Sequence, residues 1–271
     1  MRSEGGAAHG LDGKVAVITG ATQGLGEGAA RLFAERGAAG LVIAGRNAER
    51  GQAVADSITA SGCPTTFVQV DLASADGPPA VIDTAIERFD RVDVVVNCGG
   101  SSHRGTLEDT TPEVFDMLFH VNARAPFLVI QRAVETMRER GIEGSIVTVI
   151  SQASHISWPD LIAYGASKAA MVNMTKTLAV VLARERIRVN GLNIGWTHTP
   201  GEDAVRKQFY GDTDGSWIES ANAGQPFGRL IRIEEVARAL AFIASPESGL
   251  MTGSVVDFDQ TVFGMSANPA G

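Results

Sequence analysis

Cysteine is scarce. The 271 residues carry two, Cys63 and Cys98, and neither belongs to a C-x-x-C pair. That excludes a disulfide framework and a structural zinc site, and no metal is expected. Positive charge is also short: 23 Lys and Arg face 31 Asp and Glu, for a net charge of −8. Such a balance argues against nucleic acid or an anionic membrane as partner. No apolar run approaches the roughly 18 residues of a membrane span. Residues 1–10 (MRSEGGAAHG) lack the apolar stretch of a signal peptide and are expected to form a flexible arm. The expected setting is cytoplasmic. Linker-like composition shifts and internal repeats are missing too, so residues 11–271 are expected to form one domain.

What is present is an ordinary globular composition, 44% hydrophobic with 31 glycines, long enough for one large α/β domain. Short β-branched runs alternate with helical patterns. The expected strands are residues 14–19, 40–44, 65–70, 92–96, 145–150, 187–192 and 254–258. Helical patterns cover 47–60, 78–89, 112–140, 162–186 and 234–244, and another follows the first strand to about residue 36. Continuous apolar strands between helices indicate a parallel sheet covered on both faces. The expected class is α/β, a single doubly wound Rossmann-type domain of about seven strands. Ligands of such sheets bind beyond the carboxyl ends of the strands.

Every chemistry-bearing motif falls at such an end. TGATQGLG, residues 19–26, follows the first strand and opens the first helix. Gly20, Gly24 and Gly26 let a turn tighten and a pyrophosphate approach the helix N-terminus. Asp71 ends the third strand, where its carboxylate can accept from an adenine amino group or cap a helix. NCGG, residues 97–100, ends the fourth. SQASHISWPDLIAYGASK, residues 151–168, follows the fifth. Tyr164 and Lys168 are four apart, one helical turn on one face. A phenol of pKa about 10 is a poor proton shuttle. An ammonium about 4 Å away would favour the phenolate by roughly 4 kcal/mol at an effective dielectric of about 20. That is about three pKa units, enough to bring Tyr164 near neutral pH.

Together these motifs resemble the short-chain dehydrogenase/reductase family. TGATQGLG is similar to its T-G-x-x-x-G-x-G, NCGG to its N-A-G turn, and Asn122 in FHVNARAPF to its helix asparagine. Ser151, Tyr164 and Lys168 match its S-(12 residues)-Y-x-x-x-K, and Asn190 begins a segment similar to its N-x-x-x-P-G. The likeness runs from about residue 11 to about 259. Three departures stand out: Ile194 replaces the proline after strand six, Cys98 replaces the alanine of the N-A-G turn, and FDQT (258–261) replaces V-D-G-G.

The resemblance implies an NAD(P)-dependent oxidoreductase interconverting a secondary alcohol and a ketone by hydride transfer. The substrate would be a small polyol-, sugar- or hydroxyacid-derived molecule, or a related carbonyl compound. It implies Tyr164 as general acid/base, Lys168 lowering its pKa and binding the nicotinamide ribose, and Ser151 donating to the substrate oxygen. Asn122 would hold a water linking Lys168 to solvent. The cofactor would lie on Gly20, Thr22, Gln23, Gly24, Leu25, Gly26, Arg46, Asp71, Leu72, Asn97, Gly99, Tyr164, Lys168, Gly195, Thr197 and Thr199. NADP(H) is favoured over NAD(H), because the second strand ends in Gly45-Arg46 without an acid and Arg46 can pair with a 2′-phosphate. Gln23, where a second basic residue often stands, argues the other way.

Substrate contacts are expected from Ser151, His155, Trp158, Trp196 and Tyr210. His103, Arg104, His198, Phe209 and Trp217 lie in the same loops, and Arg104 could meet a carboxylate. The loop-rich, aromatic stretch at about 196–227 is expected to be a mobile lid. The helices at 112–140 and 162–186 are apolar on more than one side, which predicts a homotetramer, with a dimer next. A second reading is a catalytically idle nicotinamide-nucleotide-binding redox sensor or subunit. The intact Asn122, Ser151, Tyr164 and Lys168 set argues against it.

Overall fold

Seven parallel strands stand in the order β3-β2-β1-β4-β5-β6-β7 in a computed structural model that describes residues 10–262. Residues 1–9, most of the expected N-terminal arm, lie outside the described residues. The strands are β1 (Val15–Thr19), β2 (Gly40–Gly45), β3 (Thr65–Gln69), β4 (Val94–Asn97), β5 (Ser145–Ser151), β6 (Arg188–Ile194) and β7 (Val255–Phe258). The helices are α1 (Gly24–Glu35), α2 (Ala48–Ala60), α3 (Gly77–Phe89), α4 (Pro112–Phe119), α5 (Ala125–Arg140), α6 (Ile162–Leu182), α7 (Pro200–Tyr210), α8 (Trp217–Ala223) and α9 (Ile233–Ala244).

The sheet separates two apolar layers, and strand alternation feeds both. In β1, Ala16 and Ile18 face a cluster with Phe33 of α1 and Leu240 of α9. Val17 faces the other, with Ile82 of α3 and Val129 of α5. Strand order reverses beside β1, which pairs with β2 on one side and β4 on the other. Thr19 is in register with both Ala44 and Asn97, so the three chain ends open into one crevice.

Two elements differ from their sequence pattern. The single helix expected over 112–140 is broken by a π-helical turn, His120–Arg124, between α4 and α5. One wide turn inserts a residue into an otherwise α-helical ladder without changing its hydrophobic spacing much, so periodicity does not report it. The expected loop-rich stretch at 196–227 contains α7 and α8. Thr199 caps α7 through a hydrogen bond from Glu202 N at 3.1 Å, and Pro200 takes its first position. Aromatic and acidic residues disguise a helix that meets the loops around the cleft and, through Arg206 over Trp217, helix α8. Among the described residues no helix is long and apolar enough to cross a membrane.

Candidate active site

The strand ends enclose a cleft of about 1200 Å³, which has room for a dinucleotide and a second small molecule. At its floor, Gly20 turns with φ +67, and a Cβ there would lie 2.5 Å from Gly99 Cα. The turns after β1 and β4 therefore meet backbone to backbone. At Gly26 a Cβ would lie 2.4 Å from Gly20 O, so helix α1 starts directly under the turn. Its N-cap, Gln23, makes no side-chain cap, which leaves the first N–H groups of α1 facing the cleft. Thr22 packs on β2: a Cβ on Gly45 would meet Thr22 Cγ2 at 2.6 Å. A side chain at 45, acid or not, would have to push the Thr22 side chain aside.

Gly20, Thr22, Gln23, Gly24, Leu25, Gly26, Arg46, Asp71, Leu72 and Gly99 all line this cleft, as do Gly195, Thr197 and Thr199 at the end of β6. Asp71 Oδ1 accepts from Ala73 N at 2.9 Å, fixing the loop it sits on. Asn97 sits one layer beneath the lining. It is buried, donates Nδ2 to Thr148 Oγ1 at 3.4 Å, and does not line the cleft. As the last residue of β4 it points into the sheet, and Gly99 reaches the ligand side. Sequence reading missed Asn47 and Arg50, both lining the cleft beside Arg46. Asn47 Oδ1 accepts from Arg50 N at 2.8 Å. The four-residue spacing of Arg46 and Arg50 across a helix cap was the available signal.

At the other end, Ser151 closes β5, and its Oγ accepts from Ala153 N at 3.2 Å. That cap bends the chain toward α6, whose first turn brings in Tyr164. Ser151 and Tyr164 line the same part of the cleft, and the Ser151 hydroxyl favours the phenolate. Lys168, buried, donates Nζ to Val149 O at 3.0 Å and stands 5.9 Å from the Tyr164 ring centroid. Burial pushes the Lys168 pKa down to about 8. Burial pushes Tyr164 up; the Ser151 hydroxyl and the Arg104 charge pull it back, and Glu202 raises it. The expected large depression of Tyr164 by Lys168 is therefore not found. The ammonium is itself desolvated and aimed at a strand carbonyl, so one-turn spacing overstates its hold on the phenol.

Asn122 sits in the π-helical turn. Its Nδ2 donates to Ser101 O at 2.8 Å and Ser167 Oγ at 3.0 Å, and its Oδ1 accepts from Ser101 N at 2.9 Å. These bonds clamp the loop after β4 onto α6. Asn122 does not line the cleft, but a Cβ on Gly100 would come within 3.2 Å of Asn122 Oδ1 and 3.5 Å of Lys168 Nζ. The Asn122 amide thus orders the Ser101 backbone beside Lys168.

Trp158, Trp196 and Tyr210 line the substrate half of the cleft with Ser151. His155 does not: the turn that Ser151 caps carries it outward, and it is exposed. His103 lies edge-on to Phe209, centroids 4.7 Å apart. Trp217 is buried against Trp196 at 5.8 Å, with His198 at its edge, 5.7 Å away. Three charged residues unremarked in the sequence, Asp160, Glu202 and Arg206, also line this wall. Tyr210 donates its hydroxyl to Asp160, tying α7 to the loop before α6.

The departures around β6 have a structural account. β6 runs straight through Ile194, which pairs with Ser151 on one side and Phe258 on the other. At Gly195 a Cβ would lie 2.0 Å from Asp259 Oδ1, so a side chain there would have to displace the Asp259 carboxylate. Gln260 replaces a glycine with a clamp: its Oε1 accepts from Phe227 N at 2.8 Å and its Nε2 donates to Arg229 O at 2.7 Å. Cys98 is half-buried and lines the cleft, and desolvation pushes its thiol up to about 12, which favours the protonated form.

A family model described as enoyl-(acyl carrier protein) reductase matches residues 20–262. An uncharacterized oxidoreductase of Thermotoga maritima is 36% identical, over 92% of this chain and 97% of its own. The 3-oxoacyl-(acyl-carrier-protein) reductase of the same organism is 34% identical, over 92% and 97%. Among solved structures, L-sorbose reductase of Gluconobacter frateurii, complexed with NADPH and L-sorbose, superposes with a TM-score of 0.89 at 29% identity, covering 96% of this chain and 100% of its own. The chain belongs to the short-chain dehydrogenase/reductase family. It is an oxidoreductase acting on CH–OH groups of a small-molecule substrate. The cleft fits the family's nicotinamide cofactor on this structure's own terms, through the backbone-closed glycine turn and the uncapped start of α1.

Proposed function

We propose that this short-chain dehydrogenase/reductase interconverts a secondary alcohol and a ketone with NADP(H), NAD(H) being the second choice. The substrate is a small polyol-, sugar- or hydroxyacid-derived molecule or a related carbonyl compound. The observation that carries the reading is that Ser151, Tyr164 and Lys168 stand together at the wall of the same cleft that the glycine turn opens.

In this reading the bound cofactor supplies or accepts the hydride. The first N–H groups of α1 receive its pyrophosphate, and Arg46 with Arg50 receives a 2′-phosphate. Tyr164 gives a proton to the carbonyl oxygen in reduction and takes it back in oxidation. Ser151 donates to the same oxygen and fixes its distance from the phenol. Lys168, held one helical turn from Tyr164 by its bond to Val149 O, binds the nicotinamide ribose. Asn122 holds Ser101 and α6 in place around it. Residues 11–271 form one functional unit, with residues 196–227 closing over the substrate.

The test is absorbance of the reduced nicotinamide at saturating NADPH or NADH against a panel of ketones, and of NADP⁺ or NAD⁺ against alcohols. Turnover of at least one ketone with one cofactor is expected. Tight cofactor binding without turnover of any carbonyl or alcohol would leave a nucleotide-binding protein without catalysis and sink the reading.

A further inference from the structure

The substrate wall contains an arginine whose hydrogen-bonding edge is only half used. Two other arginines of the molecule take both oxygens of a carboxylate on the Nε–Nη2 edge. Arg138 holds Glu185 this way at 2.6 and 2.8 Å, and Arg91 holds Asp93 at 2.8 and 2.7 Å. That is the planar fork for which guanidinium is suited.

Arg104 differs. Its Nη2 reaches Glu202 Oε1 alone, at 3.4 Å, and the same oxygen also accepts from Trp196 Nε1 at 3.1 Å. Its Nε is buried and has no hydrogen-bond partner among the described residues. The two side chains are 15% and 12% exposed, so this is a largely desolvated charge pair with loose geometry. A buried charge with an incomplete partner is unfavourable, and a better-fitting carboxylate would relieve it.

Placement adds the function. Arg104 lies on the loop after β4 and lines the cleft with Ser151 and Tyr164. Its charge is felt by the Tyr164 phenol, with that of Glu202 opposing it. Glu202 belongs to the first turn of α7, so the two charges come from different walls of the cleft and separate if α7 shifts.

Resting on the alcohol–ketone reading above, we propose that Arg104 anchors a carboxylate on the substrate, which takes the Nε–Nη2 edge in place of Glu202. The substrate class is then a hydroxy acid and its oxo acid, with the reacting carbon between the Ser151–Tyr164 pair and the anchor. Glu202 keeps the guanidinium neutralised until α7 moves and then returns to it, which selects against neutral molecules.

The test compares each oxo acid with its methyl ester, 3-oxobutanoate and 4-oxopentanoate, using the reduced cofactor that the protein prefers. The unaltered enzyme should favour the acid in at least one pair by about tenfold or more in kcat/KM, as expected for a hydrogen-bonded charge partner. Arg104→Gln should bring that ratio to about one, and Arg104→Lys should restore part of it. Since Arg104→Gln strands Glu202, the double variant Arg104→Gln/Glu202→Gln keeps the shape of the wall without charge, and its ratio should also be about one. A wild-type ratio at or below one in both pairs would reject the anchor while leaving the oxidoreductase reading intact. So would a ratio that survives in both glutamine variants. If neither acids nor esters are reduced, 4-oxopentanoate is titrated into the protein loaded with reduced cofactor, and cofactor fluorescence is read. Saturable binding lost in Arg104→Gln would keep the anchor and reject the reductase; no binding would reject both.

Discussion

The ammonium of Lys168 stands 5.9 Å from the centre of the Tyr164 ring and gives its hydrogen bond to the carbonyl of Val149, at 3.0 Å. The two groups share a helix face, yet each is set mainly by its own burial. Tyr164 is raised and Lys168 is lowered to about 8.

This sets the sign of a pH effect. Lysine's ordinary value is 10.5, and burial brings Lys168 to about 8. Between those values the unfolded chain binds a proton that the folded protein has released, so the group's contribution to stability rises with pH across that window. Below pH 8 its buried charge is a full penalty, on the order of 3 kcal/mol from the shift. Lys168→Met should therefore be more stable than the parent at pH 7, by up to about that amount less the lost Val149 bond. The advantage should shrink from pH 8 toward 10.5. Urea denaturation of both proteins at pH 7 and 10 checks this; a pH-independent difference would refute it.

Tyr164→Phe keeps the ring and removes the proton. Turnover should fall by at least about a hundredfold, the lower range for acid–base catalysis, with cofactor affinity nearly unchanged. A loss under tenfold, with cofactor binding intact, would move the proton-transfer role elsewhere.

Arg46 and Arg50 are both exposed at the end of the cleft, where Thr22 packs against Gly45. Each should pair with a 2′-phosphate. Arg46→Ala is expected to weaken NADP(H) by about 1.5–3 kcal/mol relative to NAD(H), and Arg50→Ala to act in the same direction by less. Side-by-side kinetics come first, since a tenfold preference of the unaltered protein for NAD(H) would overturn the assignment.

On α6, Val180 and Val181 are 79% and 57% exposed, and on α4 and α5 Phe115 and Phe127 are 43% and 40% exposed. Apolar groups at adjacent exposed positions of long helices seek a partner surface. A homotetramer is the expected assembly, with a dimer next. Light scattering should show the larger species, and Val180→Glu with Val181→Glu should reduce it. A monomeric parent at micromolar concentration would count against the proposal.

Helices α7 and α8 pack largely through the Tyr210–Asp160, Arg104–Glu202 and Arg206–Asp212 contacts and the Trp196–Trp217 stack. Hydrogen exchange over residues 196–227 should slow when cofactor and substrate are both bound. Equal protection with and without them would mean a fixed wall instead of a closing lid.

The order of strands and helices, the glycine turn and the Ser151, Tyr164 and Lys168 set were legible in the sequence. Each rests on local rules: β-branched runs make strands, glycine permits the turn after Thr19, and four residues make one helical turn. What the chain alone did not carry depends on residues far apart in it. Asn97 turned into the sheet because Thr148 lies on the neighbouring strand, and His155 turned outward because Ser151 caps the turn before it. Arg104 meets Glu202 only because the loop after β4 and the first turn of α7 face each other across the cleft. Burial then reversed the expected protonation balance of Tyr164 and Lys168, since desolvation is a property of the packed environment and not of a spacing. The sequence determined the scaffold and which polar groups it carries to the strand ends; the tertiary structure decided which charges share the cleft with them.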